Sequence, residues 1–312
     1  MKLKATREGY IEGLLLAAET DERIVVIDGD VAKSIGTTAF KEKFPDRYFN
    51  LGIAEQNIAE YSAGLALSGF TPFYSTYAVF AVGRAFDQIR TTICNMNLNV
   101  RIGGAHSGVS VGPDGATHQA LEDLALTRSL PNMTVFVPAD SNQTRNAVLA
   151  AQKNDGPVYI RFGRNPVPQI YDTEKIVKPG KGNLLRQGND ATIIAIGVML
   201  HIALEAAEQL SKEGIEVSVV DMVSLKPLDT ELLQNIVLNS SLVVTAEDHQ
   251  ITGGLFSAVS EHYSQHHPVR VLPIAVQDQF GCSGTPEEVL QFCNLTAENI
   301  IKKVKTGLDI SK

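Results

Sequence analysis

The chain has 312 residues, 44% hydrophobic and 20% charged, the composition of an ordinary globular protein and enough length for about two domains. Acidic side chains outnumber basic ones, 35 to 27, for a net charge of −8; a nucleic-acid partner needs surplus Lys and Arg, so that class is excluded, while a local arginine site for a small anion is not. No apolar run reaches the roughly 20 residues of a membrane span, the N-terminus lacks a signal-peptide core, and Cys94, Cys282 and Cys293 have no CxxC spacing, so the expectation is a reduced cytoplasmic protein without membrane, disulfides or a zinc site.

In chain order, Ile24 to Ile27 reads as a buried strand, and residues 56 to 68 show the three-and-four apolar spacing of a helix. Strands follow at Leu98 to Ile102, Val135 to Val137 and Val158 to Ile160, then Thr192 to Ile196, Val217 to Val220 and Leu242 to Thr245, with a helix at 202–212 in the second series. Strands alternating with helices predict an α/β fold of two parallel-sheet domains. Residues 166–189 carry Pro166, Pro168, Pro179, Gly180, Gly182 and Gly188 without a sustained period and read as a linker. The expected domains are therefore 1–165 and 190–312.

Several segments carry chemistry. Leu51-Gly52-Ile53-Ala54-Glu55-Gln56-Asn57 opens a helix that becomes small and apolar (Ala63 to Leu67), a composition that predicts burial. Glu55 is then either a first-turn glutamate favoured by the helix dipole or an enclosed carboxylate needing a partner, such as a donor nitrogen of a heteroaromatic cofactor. Tyr77, Phe80 and Arg84 fall at helical spacing, which by itself implies core packing. The loop from Gly103 to Gln119 places His106, Asp114 and His118 among glycines between a strand and a helix starting near Gln119, where α/β proteins bind ligands. These residue types suit acid–base work and hydroxyl binding, and surface histidines are the alternative; a metal site lacks a third ligand nearby. Arg161 and Arg164 end a strand, and their planar forks suit an oxyanion. Thr245 to Leu255 ends in two glycines before a helix, either an anion site at a helix N-terminus or close packing. His262, His266 and His267 read as a solvated helix end, and His201 as a surface residue at a helix start.

Gly52-Ile53-Ala54-Glu55-Gln56, the Tyr77–Phe80 stretch and the His106–Asp114–His118 loop together resemble the transketolase superfamily. The resemblance spans that family's pyrimidine-binding (Pyr) and C-terminal domains. It implies thiamine diphosphate as cofactor. Glu55 would hydrogen-bond the aminopyrimidine ring nitrogen and favour the imino tautomer that removes the thiazolium C2 proton. Phe80, then Tyr77, would lie against the pyrimidine, with Asp30 a weaker match on the thiazolium side. His106 and His118 would contact sugar oxygens and assist proton transfer, Asp114 the substrate C2 hydroxyl, and Arg164 the terminal phosphate, while Arg161 is off the motif position. Where many full-length transketolases flank the glutamate with Arg and His, this chain has Ala54 and Gln56. The resemblance gives the C-terminal domain no catalytic residue.

The Gly-Asp-Gly motif that holds Mg²⁺ and the diphosphate in this family has no counterpart here; Asp28-Gly29-Asp30-Val31 has the wrong order. The resemblance therefore implies a separate N-terminal transketolase subunit carrying the diphosphate/Mg²⁺ domain and its metal ligands, an α₂β₂ heterotetramer, and transfer of a two-carbon ketol unit between sugar phosphates. The β subunit of a 2-oxo-acid dehydrogenase and a 1-deoxyxylulose-5-phosphate synthase-like activity are the competing readings, and a scaffold without activity is a third.

Overall fold

The computed structural model describes residues 2–238 and 240–309. Two sheets organise the chain, and the α/β expectation is correct. The first has seven strands in the order Ser224–Lys226, Thr134–Phe136, Val158–Arg161, Arg101–Ala105, Thr71–Tyr77, Ile24–Asp28 and Tyr48–Asn50. All neighbours are parallel except Ser224–Lys226, which runs antiparallel to Thr134–Phe136. The second sheet orders Arg270–Val276, Leu242–Gln250, Ala191–Ala195, Val217–Asp221 and Asn183–Arg186, the last antiparallel. Interior parallel strands are covered by helices on both faces, so they read as continuous apolar runs, and Ile24–Asp28 is buried at every position.

The structure corrects four expectations. Thr71–Tyr77 is a strand that apolar periodicity did not reveal, because Ser75 and Thr76 interrupt the run although both are buried. The loop strand is Arg101–Ala105, later than expected, and the following helix is Asp123–Ser129. The segment read as a linker contains strands: Pro166–Pro168 pairs with Leu3–Ala5, and Asn183–Arg186 joins the second sheet. Its backbone is also tied down by the Asp140 carboxylate, which accepts from the Ile170 and Tyr171 amides at 2.6 and 2.8 Å. Buried backbone donors need such partners, whatever the local composition. Finally, the helix Glu55–Leu67 is buried only on the face carrying Glu55, Ile58, Ala59, Ser62 and Ala63. Ile53 before the helix and Leu67 and Phe70 at its far end are large apolar side chains that this chain alone leaves exposed.

The two halves are joined by a buried ion network. Arg161, 2% exposed, donates through Nε to Asp123 at 2.9 Å and through Nη1 to Asp248 of the second half at 2.5 Å. Burial works against the guanidinium charge, but the two carboxylates outweigh it and hold its pKa above the usual range. Asp248 in turn abuts Gly108, where an added Cβ would lie 1.7 Å from Asp248 Oδ2. Only glycine admits that approach, so the second half shapes the loop after Arg101–Ala105.

Candidate functional site

Parallel strands end together, and the site gathers at their carboxyl ends. The register pairs Tyr77 with Ala105, which sets Tyr77 beside His106, the residue that follows. Their rings lie 4.6 Å apart. His118, later in the loop, stands 5.4 Å edge-on from Phe80 and 6.0 Å from Tyr77. Tyr77, Phe80, His106 and His118 therefore form one cluster, although they come from two separate segments.

Glu55 joins this cluster through a residue whose role the sequence reading left as packing. Its side chain is 2% exposed and its Oε2 accepts from Arg84 Nη1 at 2.7 Å, while Oε1 has no hydrogen-bond donor among the described residues. The Arg84 guanidinium lies 4.7 Å over the Phe80 ring, a cation–π contact. Arg84 thus bridges carboxylate and aromatic platform from an exposed position. A buried carboxylate with one oxygen left over, beside a flat aromatic surface, fits a planar heterocycle that brings its own N–H donor.

His106 is 1% exposed and sits in left-handed backbone, φ 55°. Its Nε2 is 3.2 Å from Ser34 Oγ, and its Nδ1 is buried without a partner among the described residues. Burial, reinforced by Arg164, Arg7 and His118, lowers its pKa to about 3. The folded value lies below that of the unfolded chain, so the neutral ring contributes stability that is present above pH 6.5 and lost as the pH falls through about 3.

Asp114 and Arg164 meet at the rim, Arg164 Nη1 donating to Asp114 Oδ2 at 3.0 Å. Arg7 reaches the same corner and donates to the Ser34 carbonyl at 2.5 Å. Asp30 is exposed and accepts from Asn50 at 3.0 Å; among the described residues no hydrogen bond ties it to the aromatic and histidine cluster. Sequence reasoning missed Ser34 and Arg7, and took Arg84 for packing. Ser34 and Arg7 lie at a distance in sequence from the side chains they meet, and the Arg84 partner that matters, Glu55, is 29 residues away, so no local pattern marks these contacts.

Outside this cluster, other readings are settled by packing. The helix Leu255–His266 offers no free anion site: Glu247 accepts from the amides of Leu255 and Phe256 at 2.6 and 2.8 Å, and burial pushes this carboxyl up to about 7. Arg161 is consumed by its network. His262 is buried rather than solvated, its ring 4.8 Å from that of His266 in a tilted arrangement. Among the described residues there is no group of three or more His, Cys, Asp or Glu able to hold a metal.

Residues 2–169 match the transketolase pyrimidine-binding domain family, and residues 180–300 the transketolase C-terminal domain family. The chain belongs to the transketolase family. A Methanocaldococcus jannaschii protein provisionally named a transketolase C-terminal section is 40% identical, over 96% of this chain and 95% of its own length. A Clostridium sp. protein named 6-deoxy-6-sulfo-D-fructose transketolase subunit is 36% identical, over 95% and 92%. Among solved structures, a split gene transketolase described as an inactive beta4 tetramer is 48% identical and superposes with a TM-score of 0.92, over 99% of both chains. A transketolase from Campylobacter jejuni superposes at 0.82 with 24% identity over 98% of this chain; this chain spans 47% of it and shares its fold. Thiamine diphosphate dependence is a property of the transketolase family.

Proposed function

We propose that this chain is the pyrimidine-binding subunit of a split, thiamine-diphosphate-dependent transketolase that moves a two-carbon ketol unit from an anionic ketose to an aldose. The observation that carries the reading is the enclosed Glu55 carboxylate, with Oε1 uncommitted, beside Phe80, Tyr77, His106 and His118. When bound, the cofactor supplies the carbon nucleophile that cleaves and forms the carbon–carbon bonds.

The chain's residues have distinct tasks in this reading. Glu55 Oε1 accepts from the ring N–H that the aminopyrimidine carries in its imino or protonated form, a hydrogen bond made strong by its exclusion from water. Phe80 and Tyr77 give the ring a face. His118, partly exposed beside them, binds sugar oxygens and passes protons. Asp114 orients a substrate hydroxyl. Arg164, with Arg7 behind it, supplies the positive corner for the sugar's anionic end, phosphate or sulfonate. Asp30, exposed and bonded to Asn50, is assigned to the thiazolium side by the family resemblance alone.

A second polypeptide supplies the diphosphate and Mg²⁺ ligands. Two relatives named as a section and a subunit support this division, since they match over nearly their whole lengths. Exposed Ile53, beside the Glu55 end of the helix, supports a partner chain at this edge; the α₂β₂ stoichiometry is the one the family resemblance implies. The test is to mix the chain with a polypeptide bearing the missing domain, thiamine diphosphate and Mg²⁺. Turnover of xylulose 5-phosphate with ribose 5-phosphate is expected, with none from either chain alone. Turnover of pyruvate, with an electron acceptor or with glyceraldehyde 3-phosphate, and not of the sugar pair would replace this reading by a dehydrogenase or a deoxyxylulose-phosphate synthase.

Arg164→Ala is expected to raise KM for a phosphorylated ketose by about 10- to 100-fold, the worth of one charge-assisted hydrogen bond. KM for an uncharged ketose should stay unchanged. Equal losses on both substrates would remove Arg164 from the anion corner.

A further inference from the structure

Ser34 lies in the short helix Ala32–Ile35, one strand away from the loop that carries His106. Its hydroxyl accepts from Tyr77 Oη at 2.8 Å and stands 3.2 Å from His106 Nε2. Its carbonyl is held by Arg7. The short helix is pinned at both ends by Asp28, which is fully buried and accepts from the Val31 amide at 2.8 Å and from Thr37 Oγ1 at 2.6 Å. Ser34 is therefore placed, and the direction of its single proton can be worked out.

A serine hydroxyl has one proton to give and two lone pairs. Tyr77 donates to one lone pair. Among the described residues, His106 Nε2 is the one acceptor left for the serine proton. If Nε2 carried a proton instead, both neighbours would donate to Ser34 and its own proton would have no acceptor among the described residues, which forfeits a partly buried hydrogen bond worth about 0.5–1.5 kcal/mol. A neutral imidazole that accepts at Nε2 carries its proton on Nδ1.

We infer that Ser34 and Tyr77 are positioning residues that hold His106 as the neutral Nδ1–H tautomer, with that N–H kept for an oxygen of the bound ligand. Tyr77 thereby has a second task through its hydroxyl, separate from the ring face given to the cofactor. The buried Nδ1 without a protein partner is what this assignment accounts for. Burial and the neighbouring cations keep a second proton off the ring, since its pKa falls to about 3. Left-handed backbone at His106 and the Tyr77 ring against the imidazole fix its direction. In this assignment His106 serves the ligand as a hydrogen-bond donor held in place before the reaction begins, not as the proton carrier the family resemblance implies. The ligand's identity as a sugar rests on the proposed function, but the tautomer does not.

The test uses the full chain alone, labelled with ¹⁵N in its histidine rings, and reads two-bond proton–nitrogen correlations, with His106→Gln to assign the signal. Expected is a pyridine-like Nε2 and a protonated Nδ1 at His106, unchanged between about pH 5 and 8, a range in which an ordinary histidine titrates. Ser34→Ala should move the ring toward the Nε2–H form that free histidine prefers, and Tyr77→Phe, which keeps the ring face, should move it part of the way. An Nε2–H or doubly protonated His106 in the unaltered chain overturns the inference, and so does a Ser34→Ala spectrum that keeps the original tautomer. In the assembled enzyme, Ser34→Ala should lower kcat by about 10-fold, one unmade hydrogen bond in the transition state. These spectra need neither partner nor substrate, so failure of the transketolase reading and failure of this one are separately visible.

Discussion

Glu55→Gln is expected to abolish most turnover in the assembled enzyme, lowering kcat by about 10²- to 10⁴-fold, the range for loss of a positioned proton-transfer group. The amide keeps the shape of the carboxylate but cannot share a proton with a ring nitrogen in the same way. Arg84 loses its ionic partner, yet it is 44% exposed and can turn to water, so folding and assembly should survive. The measurements are kcat with both subunits and saturating thiamine diphosphate, and the sedimentation profile of the mixture. Unchanged turnover would strip Glu55 of its role. Loss of assembly together with activity would make it a structural residue.

The second large effect concerns stability. Arg161→Ala leaves Asp123 and Asp248 facing each other in the interior without their cation, and removing one member of a buried ion network costs about 3–5 kcal/mol. Circular dichroism through a denaturant titration is the suitable probe, because the chain contains no tryptophan. A loss well under about 1 kcal/mol would place the network among ion pairs of little consequence. The same substitution should raise KM for the sugar in the assembled enzyme. Arg161 Nη2 holds the Ala120 carbonyl and the Asp248 backbone, and Asp248 backs Gly108 at the start of the histidine loop.

The sequence by itself determined the α/β class, seven of the fourteen strands among the described residues, and the head of the Glu55 helix. Each of these follows from local pattern: β-branched runs bounded by glycine and proline, three-and-four apolar spacing, and an acidic residue where a helix begins. The His106–Asp114–His118 spacing likewise stood out within one loop, and its match to the transketolase pattern needed no coordinates.

Tertiary structure decided who meets whom. Strand register brings Tyr77 to His106, and contacts spanning 27 to 72 residues then bring Ser34 and Arg7 to the same corner, a proximity without local signature. Arg84 shows the same limit: its spacing belongs equally to packing and to an ion pair, and only the path of the chain puts Glu55 within 2.7 Å. Burial also resists local reading. Glu247 caps a helix from the preceding strand, His262 sinks into the interior, and Leu67 stays open. Each depends on what packs against it, and contacts between distant segments are fixed by the fold as a whole.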